Sequence, residues 1–132
     1  MADEKKLQQK LLTYRFLEDR LNGLLRQRDM IADKISEMMS TLESIKEIDS
    51  AKDSILFPIG SEAYTFGKIL EKDKLIVEIG ANIALEKTFK EGKLTLEKRK
   101  TELEKALQDI QKEALIVNSS MEMLLPEIEK LS

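Results

Sequence analysis

The sequence predicts a mainly α fold with a small β insert: a long antiparallel two-helix coiled coil with two central β-hairpins. Three observations predict it. Ala, Glu, Lys, Leu and Arg make up about half of the 132 residues, the composition of long helices. Apolar residues recur at alternating steps of three and four along two long segments. Between those segments the period shortens to two and three of the five glycines gather. The length allows one domain over 1–132, read as helix 1 over 3–52, two hairpins over 55–88 and helix 2 over 89–130.

Helix 1 contains one glycine and no proline. Its seam runs Leu17, Leu21, Leu24, Arg28, Ile31, Ile35, Met38, Leu42 and Ile45, with Arg28 its polar interruption. Upstream, Leu7, Leu11 and Tyr14 continue the pattern, but Tyr14 to Leu17 is a step of three where four is due. That spacing predicts a stammer, a local overwinding of the supercoil. At about 1.5 Å per residue the helix would approach 70 Å. Gly23 lies inside it and is expected to permit bending or to act as a hinge.

The insert opens with the apolar Ile55-Leu56-Phe57-Pro58-Ile59 and turns at Gly60. Tyr64, Phe66 and Leu70 alternate with Ala63, Thr65, Gly67 and Ile69. Glu71-Lys72-Asp73-Lys74 is a polar break. Leu75, Val77 and Ile79 then alternate with Ile76 and Glu78, Gly80-Ala81-Asn82 turns the chain, and Ile83–Lys87 forms a last strand. Each half is an apolar strand, a Gly-led turn and a second strand, which predicts two hairpins. Helix 2 starts at a capping box, with Thr88 as N-cap and Glu91 three residues on. Leu96, Leu103, Ile110, Val117, Leu124 and Leu131 fall seven apart, and Lys100, Leu107, Ala114, Met121 and Ile128 fill the second seam position. Pro126 removes a backbone donor and predicts a kink or an end near Leu125.

Composition excludes much chemistry. Without His or Cys there is no imidazole base, thiolate nucleophile, His/Cys metal site or disulfide. Ser119-Ser120 therefore has no imidazole partner, and the carboxylate pairs Glu102/Glu104 and Glu127/Glu129 read as solvated helix charge. Gly60 to Lys68 lacks P-loop spacing and has Ile69 where a hydroxyl should hold magnesium. No enzyme activity and no cofactor are expected. A net charge of −3 and few aromatics argue against nucleic acid. The polar start, Met1 to Lys6, lacks a signal-peptide core, and no apolar run reaches the ~20 residues of a membrane helix, so a soluble cytoplasmic protein is expected.

Two surfaces are left without an internal partner. In an antiparallel pair both termini meet at one tip. That tip carries Leu7, Leu11, Leu12, Tyr14 and Phe16 from helix 1, and Met121, Met123, Leu124, Leu125, Ile128 and Leu131 from helix 2. Leu12, Phe16, Met123 and Leu125 exceed what one seam can bury. They suit contact with other apolar chains, or else form a wider core at a frayed end. Two hairpins are also too little sheet to stand alone. One face is read as carrying Phe57, Tyr64, Phe66, Leu75, Val77, Ile79, Leu85 and Phe89, and the strand edges are open. Phe57, Ile59, Tyr64, Phe66, Leu75, Val77, Ile79, Ile83 and Leu85 are therefore candidates for a sheet or barrel completed between chains.

The helix, two hairpins and helix, with Ile55-Leu56-Phe57-Pro58-Ile59-Gly60 opening the insert, resemble the alpha class of prefoldin subunits. The likeness continues through Gly67-Lys68-Ile69, Ile76-Val77-Glu78-Ile79-Gly80, Leu85-Glu86-Lys87-Thr88 and Leu96-Glu97-Lys98-Arg99. Two hairpins rather than one indicate the alpha class. The resemblance implies an archaeal-type hexamer of two alpha and four beta subunits, joined by stacked intersubunit β-barrels. It implies an ATP-independent holdase that captures unfolded polypeptide at coiled-coil tips and delivers it to a group II chaperonin. The alternative is a self-assembling structural or adaptor protein, a homo-oligomer or filament built through the hairpins.

Overall fold

The computed structural model describes residues 2–71 and 73–132. Met1 of the polar start and Lys72 of the polar break between the hairpins lie outside the described residues. The order of elements is α1 (Ala2–Ser50), β1 (Ile55–Gly60), β2 (Ala63–Gly67), β3 (Leu75–Gly80), β4 (Ile83–Lys87) and α2 (Phe89–Leu131). The chain divides into two compact units, one of residues 1–34 with 103–132, the other of 35–102.

The first unit pairs the early part of α1 with the late part of α2. Lys10 Nζ meets Glu127 Oε2 at 2.6 Å and Arg20 pairs with Glu113, so partners descend along α2 as they rise along α1: the helices are antiparallel. Leu24, Val117 and Met121 form its buried cluster, with Tyr14, Leu17, Leu21, Ile110 and Ala114 packed around them. The seam departs from the expected one at its start. Lys10 is half-buried and Leu11 is exposed, so the seam reads Leu7, Lys10, Tyr14, Leu17 and the steps of three and four never break. The expected stammer is absent. The physical reason is that a lysine can occupy a seam position when its stem packs and its ammonium has a carboxylate to reach, here that of Glu127.

Of the two outcomes expected at Pro126, a kink or an end, the end does not occur: α2 runs through it to Leu131. Leu124, Ile128 and Leu131 remain half-buried on the seam on either side of the proline. Packing of that stripe keeps the chain helical and offsets the lost backbone bond toward Glu122, whose residue is exposed so that its carbonyl can turn to water.

The second unit holds the rest of the helices and both hairpins. Met38 and Ile45 are its buried α1 residues, on the predicted stripe. At the start of α2, Thr88 Oγ1 accepts from the Glu91 amide at 3.1 Å, the N-cap half of the predicted box. The hairpins are two separate two-stranded antiparallel sheets, β1–β2 and β3–β4. They share one design. Each turns through two residues at positive φ, Ser61-Glu62 and Ala81-Asn82, which is the I′ type that matches strand twist. Each carries Gly60 or Gly80 before the turn at φ 115° or 108°, a backbone only glycine adopts readily, and each has a bulge just before that glycine.

Candidate functional site

The bulge decides which side chains share a face. Below it, Leu56 pairs with Phe66, Phe57 with Thr65 and Pro58 with Tyr64. Directly opposed residues lie on the same side, so Phe57 stands on one face and Tyr64 and Phe66 on the other. This corrects the single face expected from the sequence. An unbulged two-residue hairpin would set Phe57 opposite Phe66; the extra residue shifts the register by one and reverses one strand's faces. The result is a hairpin apolar on both sides. Ile55 and Phe57 are half-buried, while Leu56, Tyr64 and Phe66 are exposed, Phe66 by 78%.

In the second hairpin the same register puts Leu75, Val77 and Leu85 on one face, as expected. Val77 is buried within its own chain and Leu75 is half-buried, so these two are covered without a second subunit. Ile79, Ile83 and Leu85 remain exposed, as do Ile59 of the first hairpin and Ile76 on the outer face of the second. Among the described residues each of the four strands has a single neighbour, so each keeps a free edge.

The terminal segments of the first unit divide similarly. Leu11, Leu12, Phe16, Met123 and Leu125 are exposed, with Leu12, Phe16 and Met123 at 69%, 70% and 74%. Leu7, Tyr14, Leu124, Ile128 and Leu131 are half-buried seam residues. Met121 is buried in the cluster with Leu24 and Val117, which removes it from the exposed set. The Lys10–Glu127 pair ties the two helical segments together here. Beside it, Leu11, Leu12 and Tyr14 line an open groove of about 470 Å³, edged by Gln8, Arg15 and Glu18.

Further apolar surface was not singled out from the sequence. Leu115 and Ile116 are exposed on α2, and Leu115 lines a groove with Leu21, Leu25 and Ile110 into which Arg28 also faces. The signal was present: in Ala114-Leu115-Ile116-Val117 only the outer two can face a two-helix seam. Arg28 itself is half-buried, and its guanidinium bonds Asp29 at 3.0 and 3.1 Å. Lys100, its counterpart on α2, is also half-buried. Among the described residues no group of three or more acidic side chains could hold a metal ion, and no helix is long and apolar enough to cross a membrane. What the arrangement offers chemically is apolar surface and unpaired backbone.

Comparison with known proteins bears on what such surfaces are for. The family model for prefoldin subunits matches residues 17–132. The prefoldin alpha subunit of Pyrococcus horikoshii is 35% identical over 78 residues, which span 59% of this chain and 53% of that relative. The chain thus matches about half the length of that protein. The alpha subunit of Methanosarcina acetivorans is 28% identical over 120 residues, covering 87% and 84%. That of Nitrosopumilus maritimus is 32% identical over 107 residues, covering 80% and 74%. The same fold occurs in a cryo-EM structure of filamentous PFD from Methanocaldococcus jannaschii, with a TM-score of 0.72, 20% identity, and coverage of 91% of this chain and 98% of that one. A family model matched over residues 17–132, with archaeal alpha subunits similar over most of the length, establishes that the chain belongs to the prefoldin family, in its alpha class.

Proposed function

We propose that the chain is an ATP-independent holdase subunit that binds unfolded polypeptide at the terminal segments of its helices and passes it to a group II chaperonin. Prefoldin is a family of chaperone subunits rather than of enzymes, and its alpha subunits assemble into oligomers. The observation that carries the reading is the exposed apolar set Leu11, Leu12, Phe16, Met123 and Leu125, gathered where the two helices end. Each such side chain, if fully covered by a client, contributes about 1.5–3 kcal/mol, and several weak contacts on flexible residues suit clients of no fixed sequence. Assembly in this reading runs through the hairpins, with two alpha and four beta subunits completing each other's sheets in the cytoplasm.

The test is suppression of aggregation of a chemically unfolded client by the assembled complex. Changing Leu12, Phe16, Met123 and Leu125 to Ser should raise the amount of complex needed by roughly tenfold, with the assembled mass unchanged. Equal protection by the variant would remove these residues from the role.

A second reading has its own support. Free strand edges can add copies without closing, and the fold neighbour from Methanocaldococcus jannaschii is filamentous. In that reading the chain forms a homo-oligomer or filament. Native mass spectrometry separates the two: a ladder of masses from the chain alone favours the filament, and a single closed mass formed only with a beta-class partner favours the hexamer.

A further inference from the structure

The second hairpin is attached to α2 at two points. Leu75, at the start of β3, lies against the backbone of Gly92; a Cβ at that position would run into the Leu75 side chain. Three residues on, the main-chain carbonyl of Glu78 accepts a hydrogen bond of 3.1 Å from Nη2 of Arg99. The spacings agree. Gly92 to Arg99 is seven residues, about 10.5 Å along a helix and nearly the same face, and Leu75 to Glu78 is about 10 Å along a strand. Strand and helix therefore run side by side in the same direction over this stretch. Between the anchors Val77 is 6% exposed, and Thr95 and Leu96 are half-buried.

We propose that Arg99 is the positioning residue of the second hairpin: its bond to the Glu78 carbonyl fixes β3 on α2 and so sets, before any partner arrives, the angle at which the hairpin offers its free edge. The bond is to main chain, so it holds the strand itself and survives changes to the side chain at position 78. Arg99 reaches the strand just before the bulge that interrupts the β3–β4 ladder between Glu78 and Gly80, where the pairing is locally disrupted. Gly92 supplies the other end of the clamp, because only a residue without a side chain lets Leu75 approach the helix so closely. The consequence for assembly rests on the proposed function above; the anchoring itself does not.

Hydrogen exchange resolved by segment tests it, on the full chain alone and in complex with a beta-class partner. With Arg99→Met, amides in Leu75–Gly80 and Ile83–Lys87 should exchange about tenfold faster, while those in Ile55–Gly67 and in both helices keep their rates. Arg99→Lys keeps a donor and should recover most of the protection; Lys98→Met, one residue away and exposed, should change nothing. In the complex, Arg99→Met should raise the concentration for half-assembly by a similar factor. Unchanged exchange in the second hairpin, or an equal rise across both hairpins and helices, overturns the proposal. Absence of any assembly by the wild type would count against the proposed function alone, since the exchange comparison is decided on the chain by itself.

Discussion

Ser61, Glu62, Ala81 and Asn82 occupy the left-handed region at φ between 48° and 63°, and none is glycine. Asn tolerates this conformation through its short amide, whereas for Ala it costs about 1–2 kcal/mol. Glycine relieves that strain but gives back part of it as freedom in the unfolded chain. Ala81→Gly is therefore expected to stabilise the β3–β4 hairpin by about 0.5–1 kcal/mol, seen as slower amide exchange across Leu75–Lys87. The turn positions were legible in the sequence, since Gly60 and Gly80 mark them. The same glycines leave room for bulges, but the residue at each bulge was not legible, because Ile59 and Ile79 look like ordinary strand residues and only the pairing shows that each is the extra one. The same holds for Lys10, which the eye passes over for the apolar Leu11 although the interval from Tyr14 points to it.

At the scale of elements, the helices were the most legible part. Their stripes of three and four recur for the whole of α1 and α2, and the side chains on them are the buried and half-buried ones. Two residues run against helix stability. Gly23 sits in an unbroken stretch of α1, and a Cβ there would meet only Arg26 Nη2 at 3.9 Å, so there is room for a methyl group. Gly23→Ala should raise the free energy of unfolding by about 0.5–1 kcal/mol in chemical denaturation. If bending at this point serves capture, the same variant should protect an unfolded client less well despite its stability. Pro126 lacks the amide its helix would use, so Pro126→Ala should add about 1–3 kcal/mol and raise the melting temperature. A fall would mean that the proline shapes the terminal packing rather than merely being tolerated by it.

For the molecule as a whole, each compact unit keeps apolar surface that it does not bury itself: the helix ends and the Leu115–Ile116 stretch in one, the hairpins in the other. A two-stranded ribbon apolar on both faces is not stable in water by itself, which is the physical case for completion by other subunits. Phe66, 78% exposed on the outer face of the first hairpin, is the sharpest probe of this. Phe66→Asp would bury an unpaired carboxylate in any interface there, and assembly should weaken by at least about a hundredfold. Native mass spectrometry would then find monomer at micromolar concentration, while circular dichroism keeps its helical signal. An assembled mass unaltered by the variant would exclude that face from the interface.

The order of elements, the seam of α2 and that of α1 from Tyr14 onward, the N-cap at Thr88 and the presence of two hairpins were determined by the sequence alone. These are local or periodic features, set by a residue and its neighbours within a turn or two, and periodicity survives without knowledge of what lies opposite. The tertiary structure decided the rest: that Lys10 belongs to the seam, that α2 continues through Pro126, that Phe57 and Phe66 part company across a ribbon, that Met121 is core, and that Arg99 holds β3. In each case the outcome depends on a group distant along the chain, or on a one-residue shift in pairing, and neither an ion-pair partner nor a register is written in the pattern of a single strand or helix.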